Sequence, residues 1–353
     1  MALRQTIRFC TSRDGTRIAV ASVGSGPPLL RAAHWLSHVE YDLESPIWRP
    51  WLQAMSEYST YVRYDQRGCG LSDRQPADIS FDAWLADFEA VAETIAEPTF
   101  AILGMSQGGA LAIAYALRHP DRVSRLVLVG AYARGAQKRA RNEAELLEAK
   151  TLVDLIRVGW GRDNPAFRQV FTNLFIPGGT PEQHRWWSDL ERNTASPEIA
   201  ARTLERLQLI DISGLAEQIN VPTLAMHSRG DCRVPFDEGC RLAALIPNAK
   251  FVPLESDNHT LLPTEPAWGH FMREMKDFLA PPGARPPVAA VERANLTTAE
   301  AEVLALVATG LHNRAIAEQL GKAEKTVRNQ VSTILDKLGV HSRAEAIVLA
   351  LSD

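Results

Sequence analysis

The sequence contains few cysteines and no long apolar run. Its four cysteines, Cys10, Cys69, Cys232 and Cys240, form no C-x-x-C pair, which fits reduced thiols better than a disulfide framework or a zinc site. No stretch approaches the roughly 18 uninterrupted apolar residues of a membrane helix, and the first residues show no apolar signal region. We therefore expect a cytoplasmic protein without a membrane partner. Neither a metal nor an organic cofactor is implied.

A general excess of basic residues is also missing. The chain carries 38 Lys and Arg against 42 Asp and Glu, a net charge of -4, so any contact with nucleic acid must come from a local cluster of basic side chains. Apolar residues make up 46% and charged residues 23% of the chain, an ordinary globular composition. A length of 353 residues suggests one large domain and one small one.

Short β-rich runs alternate with helical patterns over the first 280 residues. The strand candidates are residues 16–23, 27–33, 58–65, 99–105, 123–130, 222–228 and 250–255. This alternation predicts an α/β fold with a doubly wound, mostly parallel sheet and helices on both faces. The rhythm changes between about 132 and 218, where helix-like segments carry Trp160, Trp186 and Trp187. We interpret that insertion as a lid.

A proline-rich segment follows the α/β pattern. Residues 281–294 include Pro281, Pro282, Pro286 and Pro287, which oppose a helix and favour an extended spacer. The sequence therefore predicts a first domain over 1–280, a linker over 281–294 and a second, helical domain over 295–353.

One glycine-rich turn has the pattern of a catalytic serine. Gly104-Met105-Ser106-Gln107-Gly108 lies between a predicted strand and a predicted helix, the context of a nucleophile elbow. Such a sharp turn strains the serine backbone and leaves room only for small residues two positions away. It also places Ser106 at a helix N-terminus, where free N–H groups can stabilise an oxyanion.

A serine nucleophile needs a base and an acid, and both follow in the chain order typical of this elbow. Asp231 comes after the strand 222–228, and His259 comes after the strand 250–255, so each lies at a carboxyl strand end. We predict Ser106 as nucleophile, His259 as general base and then acid, and Asp231 as the carboxylate that orients the imidazole.

Other residues near these positions could compete for the same roles. They are Asp237, Asp257 and His227, and a structural role is the preferred interpretation for each.

These motifs, with the segments YDQRGCGLSD and SDNHTLL, resemble the α/β-hydrolase family over residues 1 to about 280. The resemblance implies an oxyanion hole built from the backbone N–H groups of Gln107 and of a residue after the third strand. Trp35 is the best match there, with Leu36 as the alternative. The glycine that the family usually has in this loop is missing here. Asp65 and Arg67, in the first of these segments, are interpreted as structural.

The last 55 or so residues resemble a LuxR-type helix-turn-helix, an all-α domain of four helices. Helices are predicted over 298–309, 313–320, 324–338 and 343–351. Apolar residues at three- and four-residue spacing give the third helix a packing face. Its other face offers side chains suited to DNA. By resemblance Arg328, Asn329 and Ser332 face bases, and Lys325 and Thr326 lie nearer the backbone. The last helix resembles the family's dimerisation helix, which implies a homodimer on an inverted-repeat operator.

Two departures weaken this second resemblance. Ala323 replaces the usual capping serine or threonine, and Gln330 replaces a common histidine. Residues 295–353 also hold six Lys or Arg against seven Asp or Glu, so we expect modest, salt-sensitive affinity for DNA.

The combined motifs predict a transcription regulator whose hydrolase-like domain senses, and in one version hydrolyses, a small apolar ester- or lactone-like ligand. The alternative is an active serine esterase or lactonase with an accessory DNA-binding domain. Haloalkane or epoxide hydrolysis would need an aspartate at position 106, and the serine there argues against it.

Overall fold

The computed structural model describes residues 3–280 apart from residue 163, and residues 296–308, 311–340, 342–343 and 345–346. The chain divides into two compact units, unit 1 over Met1–Phe278 and unit 2 over Leu279–Asp353. The predicted linker 281–294 and most of the predicted helix 343–351 lie outside the described residues. No helix among the described residues is long and apolar enough to cross a membrane.

Unit 1 is built on an eight-stranded sheet with the order β1-β2-β4-β3-β5-β6-β7-β8. Strand β2 runs antiparallel to β1 and β4, and the remaining pairs are parallel. The strands are β1 Gln5–Thr11, β2 Arg17–Val23, β3 Pro28–Arg31, β4 Thr60–Tyr64, β5 Phe100–Met105, β6 Val123–Val129, β7 Thr223–Ser228 and β8 Lys250–Leu254. The predicted fold class, a mostly parallel mixed sheet with helices, is confirmed.

Strand β1 is the one element of this sheet that the sequence pattern did not indicate. It lies at the sheet edge and pairs only with β2 among the described strands. Its side chains alternate between exposed and half-buried, and none is fully buried. An edge strand of this kind gives no apolar run to recognise.

Helices connect the strands of unit 1 and form a long insertion between β6 and β7. The connecting helices are α1 Trp48–Ser56, α2 Phe81–Ala92, α3 Gly108–Arg118 and α10 Phe236–Leu245, and α11 Ala267–Leu279 follows β8. The insertion, called the lid below, contains α4 Ala136–Arg139, α5 Glu143–Gly159, α6 Pro165–Phe175, α7 Pro181–Thr194, α8 Pro197–Leu207 and α9 Ser213–Ala216. Ser, Thr or Asn side chains cap α5 to α8, which fixes where these helices begin.

Unit 2 contains α12 Thr298–Ala308, α13 Asn313–Leu320 and α14 Glu324–Leu338, within one residue of the predicted bounds. Apolar side chains of all three helices form one core, which includes Val303, Ile316, Val327 and Ile334. Gly321 and Gly339 end α13 and α14 in the left-handed conformation, where glycine has no steric penalty.

Candidate active site and DNA-binding helix

Ser106 occupies a strained turn between β5 and α3. Its φ angle is 51°, a left-handed conformation that costs free energy in a residue with a side chain. The backbone N–H of Ser106 donates to the Val129 carbonyl at 3.0 Å, which ties the turn to the end of β6. A Cβ on Gly104 would lie 2.7 Å from Gly109 Cα, and one on Gly108 would lie 3.1 Å from the Ala32 carbonyl oxygen. These contacts explain the two glycines that flank the serine.

His259 and Asp231 form a buried hydrogen-bonded pair. The His259 Nδ1–H donates to Asp231 Oδ2 at 2.7 Å, and the two residues are 6% and 9% exposed. The other carboxylate oxygen accepts from the backbone N–H groups of Arg233 and Val234, both at 2.8 Å. Burial disfavours the charged carboxylate, but the His259 charge and hydrogen bonds from His227 and His259 hold the pKa of Asp231 well below its usual range. Asp231 is therefore ionised and able to stabilise an imidazolium.

The competing acidic residues are placed elsewhere. Asp237 lies in the first turn of α10, and both it and Asp257 are exposed. Neither accepts a hydrogen bond from His259 among the described residues.

His227 has a larger part in the site than the sequence indicated. Its Nε2 lies 3.0 Å from the Val234 carbonyl oxygen and 3.4 Å from Asp231 Oδ2. Because a carbonyl oxygen only accepts, Nε2 carries a proton and also faces the carboxylate. His227 thus holds the turn that presents Asp231. Its place four residues before Asp231 is the only signal that the sequence offers.

Gly130 is a second residue that sequence reasoning missed. It follows β6 with a φ angle of 56°, and a Cβ there would lie 3.0 Å from His259 Cε1 and 3.6 Å from Asp231 Oδ2. The imidazole therefore rests against bare backbone. A glycine that ends an apolar strand is a weak hint of such close contact.

Ser106 and His259 line the same cavity. The other lining residues are His34, Trp35, Trp48, Met105, Gln107, Val129, Phe175, Trp187 and Thr260. The cavity measures about 20 Å³, room for about one water molecule. No hydrogen bond joins Ser106 Oγ to His259 among the described residues, and such catalytic contacts often tighten only when substrate binds.

The predicted oxyanion donors lie beside this cavity. Trp35 and Gln107 both line it, and neither backbone N–H donates a hydrogen bond elsewhere in the described part of the chain. Leu36, the alternative donor, adopts a φ angle of 65°. The loop therefore makes its left-handed turn without a glycine, at a cost of about 1–3 kcal/mol that its packing must offset.

Two buried ionic groups brace the sheet beside the site. Asp65 accepts from the backbone N–H groups of Val39 and Leu71, both at 2.8 Å, which ties the oxyanion loop to the turn after β4. Burial raises the pKa of Asp65 to about 7. The Arg67 guanidinium donates two hydrogen bonds to Asp87, at 2.8 and 2.6 Å. Both contacts support the structural interpretation of Asp65 and Arg67.

The lid is hydrogen-bonded to the loop that carries His259. The Thr260 N–H donates to the Phe175 carbonyl at 3.1 Å, and the Gly178 N–H donates to Asn258 Oδ1 at 2.9 Å. The Phe175 ring lies edge-on to the His259 ring at 5.5 Å. Movement at the end of α6 would therefore displace the loop that carries His259.

Helix α14 presents the polar face predicted for DNA. Its apolar face, Val327, Val331 and Ile334, is buried in the core of unit 2. All five residues predicted to contact DNA are exposed, namely Lys325, Thr326, Arg328, Asn329 and Ser332. Arg328 donates to Glu324 at 3.1 Å, an exposed pair that costs little to break.

The start of α14 has no side-chain cap, because Ala323 holds the N-cap position with φ -71° and ψ 140°.

Helix α12, in contrast, is capped by a side chain. The Thr297 hydroxyl accepts from the Glu300 N–H, and the Thr297 N–H donates to the Glu300 carboxylate at 2.6 Å, a reciprocal capping box. Lys337 Nζ, near the end of α14, donates to the same carboxylate at 2.7 Å. Glu300 thus links both helices.

Comparison with known proteins assigns both units. The family model of the alpha/beta hydrolase fold matches residues 43–266. The chain belongs to the α/β-hydrolase fold family. A second model, that of the bacterial regulatory proteins of the luxR family, matches residues 294–350. This chain of the α/β-hydrolase fold therefore also carries a LuxR-type DNA-binding domain, which implies that DNA is a partner, as the hydrolase-fold domain implies a small-molecule ligand.

Relatives of known sequence or structure cover unit 1. The AB hydrolase superfamily protein YisY of Bacillus subtilis is 27% identical over 268 residues, 71% of this chain and 91% of that protein. The pimeloyl-[acyl-carrier protein] methyl ester esterase of Nitrosomonas europaea is 26% identical and covers 67% of this chain and 89% of its own length. The esterase EaEST of Exiguobacterium antarcticum superposes with a TM-score of 0.63 at 25% identity, over 77% of this chain and 98% of its own.

Proposed function

We propose that the protein is a transcription regulator whose hydrolase domain binds a small, largely apolar ester- or lactone-like ligand at Ser106. The observation that carries this proposal is the presence, in one chain, of a buried His259–Asp231 pair beside a strained serine and of an exposed recognition helix. Ligand occupancy would alter the affinity for DNA, through a homodimer on an inverted-repeat operator. Such coupling requires that the ligand bind two states of the protein with different affinity.

The small size of the cavity supports a conformational response to the ligand. A volume of about 20 Å³ has no room for an ester, so side chains that line the cavity would have to move when one binds, and two of them belong to the lid. Phe175 and Trp187 stack at 5.0 Å and line the cavity. The main chain at Phe175 is bonded to the His259 loop. Binding at Ser106 and displacement of the lid would then be one event.

The arrangement also supports hydrolysis, the chemistry of the alternative function. Ser106 Oγ would attack the acyl carbon as His259 takes its proton, and the N–H groups of Trp35 and Gln107 would stabilise the oxyanion. His259 would then give the proton to the leaving oxygen, and water would release the acyl group by the same steps. The names of the two esterases above favour an ester substrate.

The variant Ser106→Ala separates the two functions. We expect it to lose hydrolysis of p-nitrophenyl butyrate and to keep ligand and DNA binding. If the variant still regulates a reporter gene, sensing depends on binding. If regulation fails while ligand affinity persists, turnover is part of the signal. His119→Gln is the control, because His119 pairs with Glu89 at 3.1 Å outside the cavity lining. A wild-type protein that neither binds nor hydrolyses any ester would contradict the proposal.

A further inference from the structure

Unpaired polar atoms gather around the cavity at Ser106. Among the described residues, five buried side-chain atoms without a hydrogen-bond partner belong to side chains that line it: His34 Nε2, Trp35 Nε1, Trp48 Nε1, Gln107 Nε2 and Trp187 Nε1. A buried polar atom left unpaired costs about 1–3 kcal/mol. Because these five side chains line one cavity beside the candidate nucleophile, their unpaired atoms are available to a ligand that enters it.

His34 differs from the other four residues because its unpaired nitrogen is a hydrogen-bond acceptor. Its Nδ1 lies 2.8 Å from the Trp35 carbonyl oxygen, and because a carbonyl only accepts, Nδ1 must carry the proton. Burial lowers the pKa of His34 well below its usual range, and the charge of Arg31 lowers it further, so the ring is neutral. Its Nε2 then carries no proton and offers a lone pair as an acceptor. The indole and amide nitrogens are donors only.

The His34 ring cannot turn to find another partner. It stacks on the Trp48 ring with centroids 4.8 Å apart and an angle of 22°, and only 6% of the residue is exposed. A flip of the ring about its Cβ–Cγ bond would keep the stacking but break the bond to the Trp35 carbonyl. The acceptor Nε2 therefore belongs to a fixed side chain that lines the cavity together with the aromatic rings of Trp35, Trp48, Phe175 and Trp187.

We propose that His34 Nε2 selects the ligand by accepting a hydrogen bond from a hydroxyl or ring N–H of a flat, conjugated ester or lactone. The indole N–H groups of Trp35, Trp48 and Trp187 donate to oxygen atoms of the same molecule. Aromatic walls favour a planar ligand. This assignment rests on the proposed function only in that the cavity receives an acyl compound, and it narrows the ligand to planar conjugated compounds that carry a hydroxyl or a ring N–H.

Calorimetric titration of full-length Ser106→Ala protein, which prevents turnover, tests the assignment. The probes are the three positional isomers of methyl hydroxybenzoate, each compared with its methyl ether and with methyl benzoate. We expect at least one isomer to bind about tenfold more tightly than both comparison compounds, the size of effect that one hydrogen bond to a buried acceptor gives. Equal affinities in all three sets would overturn the assignment, as would the absence of binding.

Two substitutions of His34 identify the atom responsible. In His34→Asn the amide N–H still reaches the Trp35 carbonyl, but the distal acceptor is gone, so the tenfold preference should fall to about one. His34→Gln places an amide oxygen near the position of Nε2 and should keep part of the preference. A preference that survives unchanged in His34→Asn excludes His34 as its source. Thermal melting shows that each variant is folded.

The outcome for His34 and the outcome for the proposed function can be told apart. If another ester alters the affinity for DNA but no hydroxy ester is preferred, the assignment of His34 fails and the function stands. If the preference depends on His34 but no ester is hydrolysed and no ligand alters DNA affinity, the function fails and the assignment stands.

Discussion

The two units place their functional side chains in opposite environments. In unit 1, Asp231 and His259 are buried, and the Asp231 carboxylate accepts hydrogen bonds from the Arg233 N–H and from His259. In unit 2, Arg328 and Asn329 stand exposed on α14. The first arrangement suits chemistry, which needs fixed geometry in a dry site. The second suits a partner that supplies its own complementary surface. Substitutions should therefore act through geometry in unit 1 and through simple loss of contacts in unit 2.

The largest effect is expected for Asp231→Asn. The amide cannot stabilise an imidazolium, and it places a donor against the N–H groups of His259, Arg233 or Val234. Hydrolysis of p-nitrophenyl butyrate should fall about 10⁴-fold, with DNA affinity unchanged. Asp237→Asn and Asp257→Asn are the controls, since both side chains are exposed. A loss of activity in either control equal to that of Asp231→Asn would mean that the acid has been misassigned.

Gly130→Ala should give the next largest effect. The added methyl group would lie 3.0 Å from His259 Cε1 and displace the imidazole, and a misplacement of this order costs about 100-fold in rate. Gly15→Ala is the matched control, because Gly15 also has a positive φ angle, 89°, and a Cβ there meets nothing within 4 Å. Steady-state kinetics of both variants check the prediction. Equal activity in the two would show that His259 does not depend on the bare backbone at Gly130.

In unit 2, Arg328→Ala should weaken binding to DNA without any change in hydrolysis. A side chain that contacts a base is worth about 1–3 kcal/mol, or roughly 5- to 150-fold in affinity. The control is Arg157→Ala, an arginine of unit 1 that also forms a surface ion pair, with Asp154 at 3.0 Å. Anisotropy titrations on an operator selected from random DNA would measure both. Equal losses would indicate a general charge effect.

Acid should lower the stability of unit 2, because it protonates the Glu300 carboxylate. The hydrogen bond from Lys337, together with those from Thr297, lowers the pKa of Glu300 from 4.5 to about 2. A carboxyl whose pKa is lowered on folding adds stability above its unfolded pKa and loses it as the pH falls through the folded value. The amides of α12 should therefore be better protected from hydrogen exchange in the wild type than in Glu300→Gln. This extra protection should be largest above pH 4.5 and should be lost as the pH falls through about 2. A difference that is independent of pH would contradict this.

The smallest expected effect is a gain in stability from Ala323→Ser. Position 323 has the extended backbone of an N-cap but no capping side chain, and a serine there should add about 1 kcal/mol to the free energy of unfolding. Ala305→Ser places the same side chain within α12 and should destabilise by about 0.5 kcal/mol. Urea denaturation followed through unit 2 measures both changes. Changes of the same sign would show that capping is not the cause.

Local patterns made most of the fold predictable, because elbows, strands and capped helices depend on residues close in the chain. The strained turn at Ser106 and the bounds of α13 and α14 are of this kind. What the sequence did not indicate depends on contacts between distant segments. Gly130 lies under a ring that is carried 129 positions later in the sequence, and the orientation of the His34 ring depends on its stacking against Trp48. Strand β1 was missed because an exposed edge has no apolar signature.

The central claim is that occupancy of Ser106 changes how the protein binds DNA. The most direct test is an anisotropy titration of a selected operator with protein whose Ser106 carries a diethylphosphoryl group, added by paraoxon and verified by mass spectrometry. A coupling of 1–3 kcal/mol predicts that the Kd differs from that of unmodified protein by about 5- to 150-fold, with no change in paraoxon-treated Ser106→Ala. Identical affinities at full modification would contradict the account.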